Sequence, residues 1–323
     1  MPTLSIIIPT LNCVHLIKRN ILVLNSIGSL AREIIVVDSG SVDGTVELIK
    51  KNLRHHNVIF FTQPKGLYQS WNFAISQCSG EWIYFSTAGD TIEYELLEFL
   101  LNTGEKNGVD VVISNPTFID SNGVKMRSLI WPMQRISSWF DLNDTTKLSY
   151  EAGQHIAVRL FPASILGSSA SNIYRASHLK LRPFPEEFGH GGDSVWGVRF
   201  AHETLFCLTS REGSTFCIHE KPEQYKLNYD KILDEEIKSL KSNGVLFNGT
   251  NIFINELLPF NRDKKIKLEE RSASFKKGKG VGRYIKFIID TFKYITIIRR
   301  KYYHTQTYHK FFRKDGFINI KSQ

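Results

Sequence analysis

The chain has few cysteines, no long apolar run and no glycine-rich phosphate loop, and each absence removes a class of protein. Cys13, Cys78, Cys207 and Cys217 are the only thiols in 323 residues, and they fall in no C-x-x-C pair and no metal-ligand spacing. That argues against a structural zinc site, and reduced thiols in the cytoplasm are the expectation. No apolar stretch reaches the roughly 18 residues that a membrane-spanning helix needs. Met1-Pro-Thr-Leu-Ser-Ile-Ile-Ile8 lacks a basic region and runs straight into a strand pattern, so no signal peptide is expected. Pro9-Thr-Leu-Asn12 follows that first strand pattern where a nucleotidyltransferase would carry a glycine-rich loop.

What is present is a globular composition, 42% hydrophobic and 23% charged, with a formal net charge of +9 that is unevenly placed. Residues 261–323 hold 18 Lys+Arg against 5 Asp+Glu, and residues 1–260 hold 23 against 27. A basic surface over the whole fold would indicate nucleic acid. A slightly acidic body with a basic, aromatic-rich end indicates instead that one region meets an anionic surface. The length suits one large domain with an appendage, or two ordinary domains.

Strand-like runs alternate with helical periodicity through the first third of the chain. Leu4–Ile8, Glu33–Val37, Val58–Phe61, Trp82–Phe85 and Val109–Ile113 read as short strands. Between them, His15–Leu30, Thr45–Leu53, a stretch through Tyr68, Trp71, Phe73, Ala74 and Ile75, and Glu93–Lys106 read as helices. Asp43 is placed to cap the second helix. Such alternation with short connections predicts an α/β fold, a mostly parallel central sheet covered by helices on both faces, with ligands outside the carboxyl ends of the strands. The alternation stops from Asn115 to about Gly167, where Trp131, Trp139, Phe140 and Phe161 stand among polar turns. Those aromatics form either a specificity pocket or satellite core. Ser171–Arg175, Thr204–Leu208 and Ser214–Ile218 read as further strands, and Lys226 to about Phe260 as mostly helical and surface-facing.

Three places along the chain can carry chemistry. The run Trp82–Phe85 opens into Ser86-Thr-Ala-Gly-Asp90, a lone carboxylate at a strand end. It is either a site acid or a turn aspartate that satisfies its own backbone. Phe184-Pro-Glu-Glu-Phe-Gly-His-Gly-Gly-Asp193 delivers an acid to the start of a helix containing Val195, Trp196, Val198 and Phe200. Asp193 is then either a functional acid near the helix's positive end or an N-cap that stabilises by ~1 kcal/mol. Glu186 and Glu187 compete for its role, and Gly191 and Gly192 would let the backbone approach a substrate. His219 closes the last strand, as satisfied structure or as a ligand. His190, Trp196 and Trp131, with Trp139 and His155, are candidates to line a binding pocket.

Toward the C-terminus, Ser272–Gly282 is a flexible basic linker. Val281, Tyr284, Ile285, Ile288, Phe292 and Ile295 then recur at helical spacing, with Arg283, Lys286 and Lys293 on the other face. This pattern suits a helix in a membrane interface near anionic head groups, or one packed on the body of the protein. The continuous apolar face is unlike the interleaved aromatics of a nucleic-acid-stacking segment.

Ser5-Ile-Ile-Ile-Pro-Thr-Leu-Asn12, Glu33-Ile-Ile-Val-Val-Asp-Ser-Gly-Ser-Val-Asp-Gly-Thr45, Lys65-Gly-Leu-Tyr-Gln-Ser-Trp-Asn72 and Gly80–Asp90 together resemble the ordered N-terminal signatures of family 2 glycosyltransferases, which have the GT-A fold. The resemblance implies transfer of a sugar from a nucleotide-diphosphate donor, UDP-sugar favoured, to an acceptor hydroxyl, with Mn²⁺ or Mg²⁺ as cofactor. By this resemblance Pro9, Thr10 and Asn12 border the nucleotide, Asp38 hydrogen-bonds the base, and Lys65 and Gly66 lie beside it. Asp90 matches the last acid of the metal motif, D-x-D or D-x-D-D, and in Thr87-Ala-Gly-Asp90 its earlier acids are absent. His219 would be a second metal ligand. Asp193 matches the catalytic base, which would deprotonate the acceptor hydroxyl as that oxygen attacks the anomeric carbon from the face opposite the diphosphate, giving inversion.

These readings divide the chain into a GT-A domain, 1–225, with a nucleotide-binding half (1–114) and an acceptor half (115–225). A helical extension, 226–271, and a basic amphipathic tail, 272–323, follow. The partners expected are a nucleotide sugar, a lipid-linked or polysaccharide acceptor and an anionic membrane surface at the inner face of the cytoplasmic membrane, with no nucleic acid. A degenerate subunit that binds a nucleotide sugar without turnover is the alternative, motivated by the depleted acidic motif.

Overall fold

The computed structural model describes residues 2–126, 132–139, 144–218, 227–257 and 317–319. The β-branched runs become strands where expected. Strands β1 (Leu4–Thr10), β2 (Ala31–Asp38), β3 (Val58–Thr62) and β4 (Trp82–Phe85) are joined through helices α1 (Val14–Ile27), α2 (Thr45–Asn52) and α3 (Leu67–Gln77). A two-residue strand, β5 (Thr91–Ile92), then leads into α4 (Tyr94–Asn107), β6 (Val111–Ile113) and β7 (Thr117–Asp120). Next come α5 (Pro132–Trp139), β8 (Thr145–Leu148), α6 (Tyr150–Leu160), β9 (Asn172–Arg175), α7 (Ala176–Leu181) and α8 (Gly192–Phe200). Strands β10 (Phe206–Thr209) and β11 (Ser214–Ile218), helices α9 (Tyr229–Ser242) and α10 (Asn248–Ile252), and strand β12 (Phe317–Asn319) complete the described chain.

The main sheet has the order β12-β8-β10-β6-β9-β4-β1-β2-β3. Strands β1 to β4 are parallel, β9 is antiparallel to both β4 and β6, and β10 is parallel to β6. The sheet is therefore mostly parallel, and the carboxyl ends of β1, β2, β3, β4, β6 and β10 emerge on one edge. A second sheet, β5-β11-β7, lies beside the β4 end. Period-two alternation assigns the two faces. Ile7, Ile35, Val37, Phe85, Val111 and Ile113 pack with α3, α6, α7 and α8, whereas Ile6, Ile8, Ile34, Val36, Tyr84 and Val112 pack with α1, α2 and α4.

Two differences from the sequence reading concern where regular structure lies. Residues 115–167 contain β7, α5, β8 and α6 rather than loops. Helix α6 escapes a periodicity search because Ala152 to Val158 are buried on every side, polar Gln154 and His155 among them. The helical extension also has a packing role. Leu233, Ile237 and Leu240 of α9 form a core with Val158, Val198, Phe253 and Ile254, and Arg199 of α8 pairs with Glu236 through its guanidinium, Nη2 to Oε1 at 2.6 Å. Of the basic tail, residues 317–319 add antiparallel to β8 at the sheet edge, and the rest lies outside the described residues. Among the described residues no helix is long and apolar enough to cross a membrane.

Candidate active site

The first two strand ends are laced together by side chains. Thr10 ends β1, and its hydroxyl donates to Oδ1 of Asp38, the last residue of β2, at 2.9 Å. The Ser41 hydroxyl donates to the same oxygen at 2.5 Å, and the Gly40 and Ser41 N–H groups donate to Oδ2 at 2.9 and 2.8 Å. Burial pushes the Asp38 carboxyl up, but these bonds from Ser41, Thr10 and Gly40 outweigh it and hold the group below its ordinary value. Asp38 is 7% exposed. Both of its oxygens accept bonds that build the β2–α2 turn. Asn12, in a left-handed conformation at φ 46°, accepts from Val42 N–H at 2.9 Å and donates its own N–H to the Ser41 hydroxyl. Asp43 accepts from both Thr45 N–H and Val14 N–H, tying the starts of α2 and α1 together.

Around this lacework Leu11, Asn12 and Lys65 stay exposed, Pro9 and Gly66 are half-buried and Thr10 is buried. All lie at the carboxyl ends of β1 and β3, on the edge where a parallel sheet binds ligands. Ser39 reaches across to α3, its hydroxyl 3.1 Å from that of Ser70.

The β4 end is a closed turn. Asn20 of α1 is 1% exposed, and its amide nitrogen lies 2.7 Å from Thr87 O, 2.9 Å from Asp90 O and 3.0 Å from the Ser86 hydroxyl. Its amide oxygen accepts from Gly89 N–H at 2.7 Å. Asp90 is 6% exposed. Its Oδ2 accepts from the Thr87 hydroxyl at 2.6 Å and its Oδ1 from Cys217 N–H of β11 at 2.7 Å. Burial pushes its carboxyl up to about 7 against the opposing bonds from Thr87 and Cys217. A divalent ion needs outward-facing carboxylate lone pairs to join phosphate oxygens and water in its shell. Asp90 as folded presents a buried group with both oxygens engaged, which does not fit a metal ligand. Among the described residues no group of three or more His, Cys, Asp or Glu could hold a metal ion. His219 lies outside the described residues, immediately beyond β11.

The third cluster forms where α3 meets α8. Asp193 is half-buried in the first turn of α8. Its backbone N–H donates to the Tyr68 hydroxyl at 3.1 Å, and its Oδ1 accepts from Ser194 N–H at 2.8 Å. Burial raises its carboxyl above the ordinary value, against bonds from Ser194 N–H and the Tyr68 and Ser164 hydroxyls. Tyr68, 4% exposed, stacks on Phe184 at 5.3 Å between ring centroids. Gly192 faces this ring so closely that a Cβ would stand 2.6 Å from its carbons and 2.5 Å from Pro185 O. The glycine at 192 thus admits the Tyr68 ring rather than a substrate. Because α3 begins directly after Lys65-Gly66, Tyr68 joins the first cluster to the third.

Several candidates have other roles. Trp196 is 0% exposed, its indole N–H donating to Arg182 O at 2.8 Å, so it is core and not acceptor pocket. His155 is equally buried on α6, its ring against Phe253. His190 is exposed in the short 3-10 turn before α8. Glu186 accepts from Asn72 at 2.9 Å, and Glu187 is exposed 3.7 Å from Arg199. Trp131 lies outside the described residues. Asn20, Tyr68, Ser164 and Cys217 were not singled out from the sequence. A buried asparagine on the apolar face of α1 was the signal that could have found the first.

Residues 5–166 match the family model described as glycosyl transferase family 2. The chain belongs to that family. Its main sheet is that of the GT-A fold, and similar solved structures agree. The S. aureus TarS 1–349 complex with UDP-GlcNAc superposes with a TM-score of 0.54 at 20% identity, over 79% of this chain and 76% of that one. Among relatives by sequence, the glycosyltransferase AglE of Haloferax volcanii is 25% identical over 65% of this chain and 68% of its own length. The cholesterol galactosyltransferase of Borreliella burgdorferi is 30% identical over 102 residues, 31% of this chain and 28% of that protein. The match therefore spans less than a third of this last relative. In family terms, the Asp38 turn and the Thr87–Asp90 turn both fall within the matched segment, and Asp193 lies beyond it.

Proposed function

We propose that this family 2 protein transfers a sugar from a UDP-sugar to a hydroxyl of a lipid-linked or polysaccharide acceptor, with inversion at the anomeric carbon. The observation that carries the reading is the environment of Asp193, a half-buried carboxyl whose burial favours the protonated form, as a general base requires of its product state. The acceptor O–H gives its proton to Asp193 as the oxygen forms a bond to the anomeric carbon. The bond from that carbon to the diphosphate oxygen breaks, and the nucleoside diphosphate leaves with the electron pair. Pro9, Thr10, Asn12, Lys65 and Gly66 are assigned to the nucleotide, Lys65 as an exposed cation beside the diphosphate. His190 is assigned to the acceptor side. Support for UDP comes from TarS, solved with UDP-GlcNAc and with UDP.

The family's divalent ion enters no step here, because Asp90 does not fit it. A transfer assay over UDP-sugars with Asp193→Asn tests the proposal. Turnover should fall by about 100-fold or more with UDP affinity within about twofold of wild type. A protein that binds UDP but supports neither transfer nor donor hydrolysis would favour the non-transferring subunit, a reading motivated by Thr87 and Gly89 standing where acids are expected.

Residues 272–323 are assigned to attachment at the anionic inner face of the cytoplasmic membrane. Because 317–319 pair with β8, charge reversal of Arg283, Lys286, Lys293 and Arg299 is a cleaner test than deletion. Loss of binding to phosphatidylserine vesicles is expected, and unchanged binding would sink the assignment.

A further inference from the structure

We infer that Asp90 is a latch between the β4–β5 turn and β11 rather than a cation ligand, and that donor binding at this site requires no divalent ion held by the Thr87–Asp90 turn. The inference rests on the UDP-sugar reading for its donor half only. The bonds that Asp90 makes run in two directions, to Thr87 within its own turn and to Cys217 on β11, 127 residues away. They join the turn to β11, which also pairs antiparallel with β5 just after the turn, the Thr91 and Thr215 hydroxyls lying 2.7 Å apart. Thr87 brings no negative charge in place of the missing acid, and its hydroxyl hydrogen is directed to Asp90.

Position 89 is closed to an acid as well. Gly89 has φ +91°, and a Cβ there would stand 3.1 Å from Cys217 Cβ and 3.3 Å from its Sγ. Its N–H is held by Asn20 at 2.7 Å. An aspartate at 89 would need a left-handed backbone and a displaced β11. The turn is thus internally consistent as it stands. A hydroxyl at 87, a glycine at 89 and a carboxyl at 90 close it on itself, where the acidic motif would open it to a cation.

The test uses the full chain and three readouts. Calorimetric titration of UDP, with Mn²⁺ or with EDTA, is carried out on wild type, Asp90→Asn and Asp90→Ala. Mn²⁺ alone is titrated into the same proteins, and melting temperatures are recorded. Asparagine keeps both latch bonds, accepting from Cys217 and donating to Thr87, without the charge that a cation needs. UDP and Mn²⁺ affinities of Asp90→Asn within about twofold of wild type in every condition, with Asp90→Ala the less stable variant, would support the latch. A loss of about tenfold or more in wild-type UDP affinity on adding EDTA, absent from Asp90→Asn because that variant is already weak, would overturn it. So would a comparable loss of Mn²⁺ affinity in Asp90→Asn. If wild type bound no UDP, the donor reading would fail, and the Mn²⁺ titrations and melting temperatures would still decide the latch.

Discussion

Tyr68 accepts a hydrogen bond from the backbone N–H of Asp193 across 3.1 Å, and its ring occupies the space that a side chain at position 192 would need. One residue of α3 thereby sets both the start of α8 and the surroundings of its carboxyl. Burial and the nearby Asp193 charge hold the Tyr68 hydroxyl well above its ordinary value, so it stays protonated and available as a donor.

Removing that hydroxyl should be visible in a pH profile. Tyr68→Phe deletes a bond that lowers the Asp193 carboxyl while leaving the burial that raises it. The proton affinity of Asp193 should rise, and the acid limb of kcat should move to higher pH. Donor KM should hold nearly constant. An unmoved limb with a proportional loss at every pH would mean that Tyr68 serves only packing.

Gly192→Ala tests the same contact by steric means. The new methyl would stand 2.5 Å from Pro185 O and 2.6 Å from the Tyr68 ring, and backbone cannot yield as a flexible side chain does. A destabilisation of about 1–3 kcal/mol is expected by chemical denaturation, with kcat reduced more than UDP affinity.

Asp90 should make stability fall as pH rises. Its carboxyl is raised to about 7 from an ordinary value of 3.8, so the native state holds its proton more tightly than the unfolded chain. The resulting stabilisation is full below the unfolded value and is lost as pH rises through the folded one. The melting temperature of wild type minus that of Asp90→Asn should therefore decline between about pH 4 and about pH 7 and level off above. Taking the difference removes the other carboxylates, including Asp38 and Glu33, whose lowered values act with the opposite sign. A flat difference would show that Asp90 titrates normally.

The contrast between Asp38 and Asp90 on one side and β1 to β4 on the other marks what local pattern reveals. Those strands are short β-branched or aromatic runs between turn residues, and each was found within two residues of its observed ends. Which partner satisfies an aspartate at the end of such a strand depends on contacts distant in sequence. Thr10 and Asp38 are 28 residues apart, and Asp90 and Cys217 are 127 apart. The same limit applies to Trp196. An aromatic residue just inside a helix looks alike whether it lines a pocket or fills a core, and only the packing of α8 against Arg182 and Phe184 decides. Helix α6 fails for another reason. Gly153 sits where a Cβ would meet the Phe206 ring at 3.0 Å, so close packing rather than amphipathic spacing selects its residues.

Asn20 offers the most direct test of the β4 turn as a built object. Its side chain reaches Ser86, Thr87, Gly89 and Asp90 from α1, so the turn is held from outside by one buried amide. Asn20→Ala leaves Gly89 N–H and the Thr87 and Asp90 carbonyls without this partner, and a loss of about 2–3 kcal/mol is expected. Asn20→Asp keeps the acceptor for Gly89 N–H but brings a carboxylate against two carbonyl oxygens, so it should be no less damaging. Hydrogen exchange separates this local effect from general destabilisation. Protection should fall first at Gly89 and at Cys217, whose N–H depends on Asp90 staying in place, while the amides of β1 and β2 keep theirs until global unfolding. If protection were lost uniformly across the sheet, Asn20 would be a core residue of α1 and the turn would owe its shape to Thr87 and Asp90 alone.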